Sequence, residues 1–146
     1  MPGDTGERRI LVVEDERVVA DSLGQILRAQ GYSIQVAYSA EAATDLLLRW
    51  RPKLAILDVM LPKMNGIEFA MVIKRHCPEC GILLFSGQPS VEALVENAKR
   101  EGHAFDILAK PVHPRVMLDA VIDAFVRLAD LSRRVTSGLL TFVDQT

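Results

Sequence analysis

Asp58 follows the apolar run Leu54-Ala55-Ile56-Leu57 and precedes Val59-Met60-Leu61-Pro62-Lys63-Met64-Asn65-Gly66. A short apolar run bounded by turn formers reads as a strand buried on both faces. The carboxylate then sits at the strand's carboxyl end, where open α/β sheets place their ligand sites. A lone aspartate there is ordinarily a turn residue, but Asp58 has company. Ile10-Leu11-Val12-Val13 ends in Glu14-Asp15-Glu16, Gly81-Ile82-Leu83-Leu84-Phe85 ends in Ser86-Gly87, and Ala104 to Ala109 runs into Lys110-Pro111. If those strand ends share one rim, three carboxylates, a hydroxyl and an ammonium meet. Carboxylates that close repel unless a cation joins them, and an all-oxygen set with room for water suits Mg²⁺. The chemistry such a set supports is phosphoryl transfer onto Asp58 as nucleophile. Asp15 and Asp58 would hold the metal, with Glu14 acting through water. Lys110 pairs with Asp58 before transfer and with a phosphoryl oxygen afterwards, and Ser86 donates to another. No G-x-x-x-x-G-K-[ST] loop is present, so the donor is a partner or a small phosphodonor rather than a nucleotide.

The elements that must hold these residues alternate. Behind the first strand, Val19, Leu23, Ile26 and Leu27 repeat at helical spacing up to the stop at Gly31. Ser33-Ile34-Gln35-Val36-Ala37 alternates polar and apolar, as a half-buried strand does. Ser39 caps a helix whose inner face is Ala43, Leu46, Leu47 and Trp50, ended by Pro52. After the Asp58 strand comes a helix from about Gly66 to Arg75, apolar nearly all round at Phe69 to Ile73, so that it is either buried on several sides or a contact surface. Ser90 opens a helix with Val91, Leu94, Val95 and Ala98 inward, closed by Gly102. From Pro114, Leu118, Val121, Ile122, Phe125 and Leu128 form a further helical stripe. Five strand–helix units imply a parallel sheet with helices on both faces. The first, third and fourth strands are apolar throughout and belong in the centre; the second and fifth carry polar residues and belong at the edges. Right-handed crossovers then fit the doubly wound order 2-1-3-4-5, with its switch point between the first and third strands.

The 146 residues suit one domain, and a net charge of −2 argues against a nucleic-acid or anionic-membrane surface as the main business of the chain. No apolar run approaches the ~20 residues of a membrane helix. Met1 to Arg9 lacks the apolar core of a signal peptide, so a cytoplasmic protein with reduced thiols is expected. Cys77-Pro78-Glu79-Cys80 has the spacing of a redox pair or half a zinc site. It follows a helix instead of opening one, and no second pair exists, so both thiols are expected to be loop residues without a role.

Taken together, Val13-Glu14-Asp15-Glu16, Leu57-Asp58 with Pro62 and Gly66, Phe85-Ser86-Gly87, and Lys110-Pro111 resemble the receiver domain of two-component response regulators. The resemblance covers about Arg9 to Ala129. It implies a flavodoxin-like fold with Asp58 as phosphoacceptor, Glu14 and Asp15 as the acidic pocket, Ser86 as switch hydroxyl and Lys110 as signalling lysine. It adds the backbone carbonyl of Met60 to the Mg²⁺ ligands. It implies a sensor histidine kinase or phosphotransfer protein as donor, slow autodephosphorylation, and an effector-binding or homodimer face made by the helix after Ser90, the fifth strand and the helix after Pro114. One departure concerns the readout: receivers usually carry Tyr or Phe three residues before the lysine, and here Ile107 stands there. Met60 and Gln88 occupy two other pocket-facing positions of the family, and an apolar Met60 should not orient an attacking water.

The expected organisation is a disordered leader over 1–8, the receiver over 9–129, and a tail over 130–146 that is a linker or short helix. Val135, Leu139, Phe142 and Val143 give that tail helical spacing, which Gly138 weakens. The chain then reads as a stand-alone receiver or the receiver of a longer regulator. Rivals are a haloacid-dehalogenase-type phosphatase, which would need an acid where Met60 stands, a flavin-binding module, which would need a phosphate cradle where the pocket is acidic, and a docking module that works unphosphorylated.

Overall fold

The computed structural model describes residues 8–87, 96, 99, 100, 102 and 105–144, the side chains of 132 and 134–144 excepted. The helix expected from Ser90 and the residue Gln88 lie outside the described residues, apart from helical positions at Glu96, Lys99 and Arg100. Five parallel strands are present: β1 (Arg9–Val13), β2 (Ser33–Ala37), β3 (Leu54–Asp58), β4 (Gly81–Ser86) and β5 (Asp106–Ala109). Their order is β2-β1-β3-β4-β5. Among the described residues the helices are α1 (Arg17–Ala29), α2 (Ala40–Leu47), α3 (Gly66–His76) and α4 (Pro114–Asp144).

Alternation along the strands divides the core in two. Ile10, Val12, Leu54, Ile56, Leu83 and Phe85 face α1 and α4. Leu11, Val13, Ala55, Leu57 and Leu84 face α2 and α3. All five residues of β3 are buried, whereas β2 and β5 keep exposed positions, as edge strands do. The apolar girth of α3 is absorbed by the fold. Ile67, Phe69, Ala70 and Ile73 are buried, and Met71 and Val72 pack partly against the same core.

Several local expectations shift. Arg8, assigned to the leader, is held: its carbonyl accepts from Ser33 N at 3.1 Å, and its guanidinium lies 4.5 Å from the centre of the Tyr32 ring. The inner face of α1 uses Ala20 and Gly24 beside Leu23 and Leu27, so Ile26 is only partly covered. α2 ends at Leu47, short of Trp50 and Pro52. The buried stripe of α4 is Met117, Val121 and Ala124, while Ile122 is 52% exposed. Of the expected stripe, Val121 is buried, Leu118 and Phe125 pack partly against the core and Leu128 lies over Gly81, so Ile122 is the residue that faces out, and Met117 and Ala124 complete the inner face. α4 also runs without a break from Pro114 to Asp144, across the expected junction at 129/130.

Cys77 and Cys80 lie in the connection between α3 and β4, as expected, and both are buried free thiols. They close the α3 C-terminus: Cys77 N donates to Ile73 O, Cys80 N donates to Cys77 O, and Lys74 Nζ donates to the Pro78 and Cys80 carbonyls. Burial pushes the Cys80 thiol up to about 12. Burial, with the adjacent Glu79 carboxylate, raises Cys77 as well. Among the described residues they belong to no group of side chains able to hold a metal.

Candidate functional site

Parallel strands deliver their carboxyl ends to one edge. Between β1 and β3 the order of strands reverses, and the loops leaving that point diverge to opposite faces, which opens a crevice. Glu14 follows β1 directly and Asp58 is the last residue of β3. Two backbone bonds hold the Asp58 end: Val59 N donates to Phe85 O at 3.0 Å, and Gly66 N donates to Val59 O at 2.7 Å. The second bond exists because residue 66 is glycine. A Cβ there would run into the Asp58 carbonyl oxygen and lie 2.9 Å from Val59 Cα. Asn65 caps α3 by accepting from Glu68 N at 2.8 Å, so the helix starts tight against the strand end.

The three carboxylates come together, with one oxygen from each of Glu14, Asp15 and Asp58 lying within 4.8 Å of the others. Glu14 is fully buried, Asp58 is 3% exposed and Asp15 is exposed. Lys110 crosses from the end of β5 to both buried acids, 2.8 Å from Glu14 Oε1 and 3.2 Å from Asp58 Oδ2. Its ammonium also lies 4.8 Å from the centre of the Phe85 ring. The second oxygens are held by main chain: Asp58 Oδ1 accepts from Met60 N at 3.1 Å and Glu14 Oε2 from Glu16 N at 3.2 Å. Lys110 N donates to Ser86 O at 2.9 Å, which ties the lysine to the end of β4.

The electrostatics follow from burial. Desolvation pushes the Glu14 carboxyl up to about 7, against the pull of the Lys110 ammonium, and the neighbouring Asp58 adds to the rise. Desolvation alone would lower Lys110, but Glu14 and Asp58 outweigh it and hold the lysine above its usual value, fully charged at neutral pH. One ammonium facing three carboxylates leaves the cluster net negative. All donors are oxygens, and Asp15 stands open to solvent. Such a set fits a hard, partly hydrated divalent cation and is a poor match for zinc.

A cleft of about 280 Å³ opens on this cluster, lined by Asp15, Glu16, Asp58, Met60, Gly87 and Lys110. Of the residues expected at the site, Asp15, Asp58, Met60 and Lys110 line it. Glu14 lies beneath, and Ser86 is 6% exposed at the end of β4 and is not part of the lining. Met60 presents a 54% exposed side chain at the mouth. Glu16 and Gly87 are lining residues to which sequence reasoning gave no role. Their signal was position alone, each next to a strand end already singled out. Ile107 is partly buried, packed with Phe105 against the α2–α3 side of the sheet.

Comparison with known proteins agrees with this geometry. The family model described as "Response regulator receiver domain" matches residues 10–122. The response regulator MprA of Mycobacterium sp. (strain KMS) is 35% identical over 138 residues, covering 94% of this chain and 59% of the relative. The chain thus spans about three fifths of the length of the curated relatives it matches. Among solved structures, the signal receiver domain of an HD domain-containing protein from Pseudomonas fluorescens Pf-5 is similar with a TM-score of 0.77 at 28% identity, over 84% of this chain and 97% of that one. The CheY-like receiver domain protein from Methanospirillum hungatei JF-1 gives 0.76 at 28%, with the same coverage. From β1 through the first turns of α4, this chain belongs to the response regulator receiver domain family.

Proposed function

We propose that the chain is the phosphoacceptor module of a two-component phosphorelay, taking a phosphoryl group from a sensor histidine kinase or phosphotransfer protein onto Asp58. The observation that carries this is the Lys110 ammonium bridging two buried carboxylates, Glu14 and Asp58, beside an exposed Asp15. Asp15 and Asp58, Glu14 through water and the Met60 carbonyl would hold Mg²⁺, which when bound neutralises charge on the phosphoryl oxygens.

The chain's own residues do the rest. Met60 N fixes one Asp58 oxygen and so orients the carboxylate. A carboxylate oxygen forms the new O–P bond as the donor's P–N bond breaks, and the donor imidazole leaves with the electron pair. Lys110 is then released from Asp58 to a phosphoryl oxygen, and the Ser86 hydroxyl serves another. Because Lys110 N and Ser86 O are bonded, movement at either reaches both β4 and β5. The added charge shifts a population between two forms of the face around β5 and the adjoining helices, where an effector or a second copy binds. Ile107 is branched and apolar, so it cannot make the outward polar contact of a tyrosine. The work is cytoplasmic, and no helix among the described residues is long and apolar enough to cross a membrane. Incubation with acetyl phosphate and Mg²⁺ tests the reading: intact mass should rise by one phosphoryl group in wild type and stay unchanged in Asp58→Asn.

Ile107 favours one other reading, a docking module that works unphosphorylated. It predicts partner binding that Asp58→Asn leaves intact.

A further inference from the structure

Glu16 lines the cleft beside Asp58 and is exposed, yet phosphoryl transfer as proposed gives it no task. It stands at the N-cap of α1, where short polar side chains accept from a backbone N–H of the first turn. The longer Glu16 side chain makes no such bond. Its N–H donates to Glu14 Oε2 at 3.2 Å, which pins the backbone there. Among the described residues no cation pairs with its carboxylate. It also stands outside the trio Glu14, Asp15 and Asp58, whose oxygens converge within 4.8 Å. The other lining residues do not offset its charge. Asp15 and Asp58 are acidic, Met60 is apolar, Gly87 has no side chain, and Lys110 already lies within 3.2 Å of the buried Glu14 and Asp58. Arg17, the next residue, is held aside. Its guanidinium lies 4.2 Å from the centre of the Tyr38 ring, and the Tyr38 hydroxyl donates to Asp21 Oδ1 at 2.6 Å, which fixes that ring. A divalent cation held by the trio would neutralise the trio and leave Glu16 as an uncompensated charge at the mouth.

We propose that Glu16 selects the phosphodonor by charge, holding back small dianionic donors such as acyl phosphates and favouring donors of lower charge. The role rests on Asp58 being the phosphoacceptor, and its consequence is that the site is partly insulated from free acyl phosphates. With acetyl phosphate, an Asp58 oxygen forms the new O–P bond as the P–O bond to the acetyl group breaks, and acetate leaves with the electron pair. With phosphoramidate the P–N bond breaks instead, and the nitrogen, already carrying three protons, leaves with the electron pair as ammonia. Acetyl phosphate is a dianion at neutral pH and phosphoramidate a monoanion. A fixed carboxylate at the mouth therefore repels the first about twice as strongly as the second. The repulsion acts as the donor approaches, through partly solvated space, so it is screened by salt.

Phosphoryl uptake by the full chain, followed by intact mass with Mg²⁺ saturating and donor below saturation, tests this. At neutral pH and low salt, Glu16→Gln should speed uptake from acetyl phosphate roughly threefold to tenfold, the effect of removing one partly screened charge several ångströms from the donor. The gain with phosphoramidate should be smaller. Added KCl should close the gap between wild type and Glu16→Gln. Glu16→Asp keeps the charge on a shorter side chain and should stay near the wild-type rate, which separates charge from packing. Equal gains with both donors, a gap indifferent to salt, or Glu16→Asp as fast as Glu16→Gln would overturn the proposal. Unchanged or slower uptake by Glu16→Gln would overturn it too, slower being the result for a carboxylate that helps to hold Mg²⁺. Uptake by none of these chains from either donor would remove the reading of Asp58 itself, and this role with it.

Discussion

Two carboxylates as buried as Glu14 and Asp58 need a positive neighbour, and the Lys110 ammonium lies between them. The residues around this triad control its geometry. Gly66 is the sharpest case, since any side chain there meets the main chain that carries Asp58. Gly66→Ala is therefore expected to lose about 1–3 kcal/mol of stability and to slow phosphoryl uptake from acetyl phosphate. Gly24→Ala, whose Cβ would lie 3.1 Å from Val36 Cγ2 and in ordinary contact with the Arg28 and Ile34 side chains, all remote from Asp58, should leave that rate unchanged whatever it does to stability. Equal uptake by the Gly66→Ala and wild-type proteins would show that the tight seat of α3 is irrelevant to the site. Met60 at the cleft mouth makes a second prediction. Met60→Asn supplies an amide able to orient water, and phosphate release from the phosphorylated variant should be faster than from wild type; identical rates would remove that role. The meeting of Glu14, Asp58 and Lys110 was legible in the sequence because each ends an apolar run, and parallel strands bring such ends to one edge. The demand for glycine at 66 was not. Its cause is a contact with residues seven and eight positions earlier, which no local pattern records.

At the scale of elements, strand composition pointed to the observed order without excluding others: three fully apolar strands suit the centre, and the polar residues of the second and fifth strands suit the edges that Ser33–Ala37 and Asp106–Ala109 occupy. Helix faces were harder to read, because α4 is apolar on more than one side. The stripe that packs is Met117, Val121 and Ala124, and this separates two substitutions. Met117→Ala should cost about 2–5 kcal/mol, whereas Ile122→Ala should stay within about 0.5 kcal/mol, both from urea unfolding. Comparable losses would put the helix in a different rotation. The α3 C-terminus gives the pH prediction. The Cys80 thiol is raised by burial to about 12 from an ordinary 9.0. A group raised on folding contributes stability that is full below its unfolded value and lost as pH climbs through the folded one. The window is pH 9 to 12, with a limiting slope of about 1.4 kcal/mol per pH unit. Cys80→Ala should flatten that part of the stability curve relative to wild type, and an unchanged slope would contradict a buried thiol. Helix ends were less legible than helix positions. Trp50 packs on the α2–α3 side of the core from beyond the helix it seemed to belong to, and Gly138 does not interrupt α4.

The whole molecule is electrically polarised along its strands. Among the described residues, carboxylates crowd the carboxyl rim around the cleft that Lys110 lines, while at the amino edge the carboxylates Glu79 and Asp106 are paired with Arg51 and Arg127 and the exposed Arg8, Arg49 and Lys53 add positive charge. A negative, partly solvated rim concentrates divalent cations, and bound cations in turn admit a phosphoryl group that bare carboxylates would repel. Phosphoryl uptake should accordingly be lost when EDTA removes Mg²⁺ and return when Mg²⁺ is restored. Uptake that persists in EDTA would break the link between the acidic cluster and the reaction. The most direct measurement concerns the atom that bonds to phosphorus. After treatment with acetyl phosphate and Mg²⁺, borohydride reduction converts an aspartyl phosphate to homoserine, and peptide mass spectrometry locates it. The expected product is homoserine at position 58 and nowhere else in the chain; homoserine at another aspartate, or a phosphorylated protein with residue 58 still aspartate, would contradict the assignment.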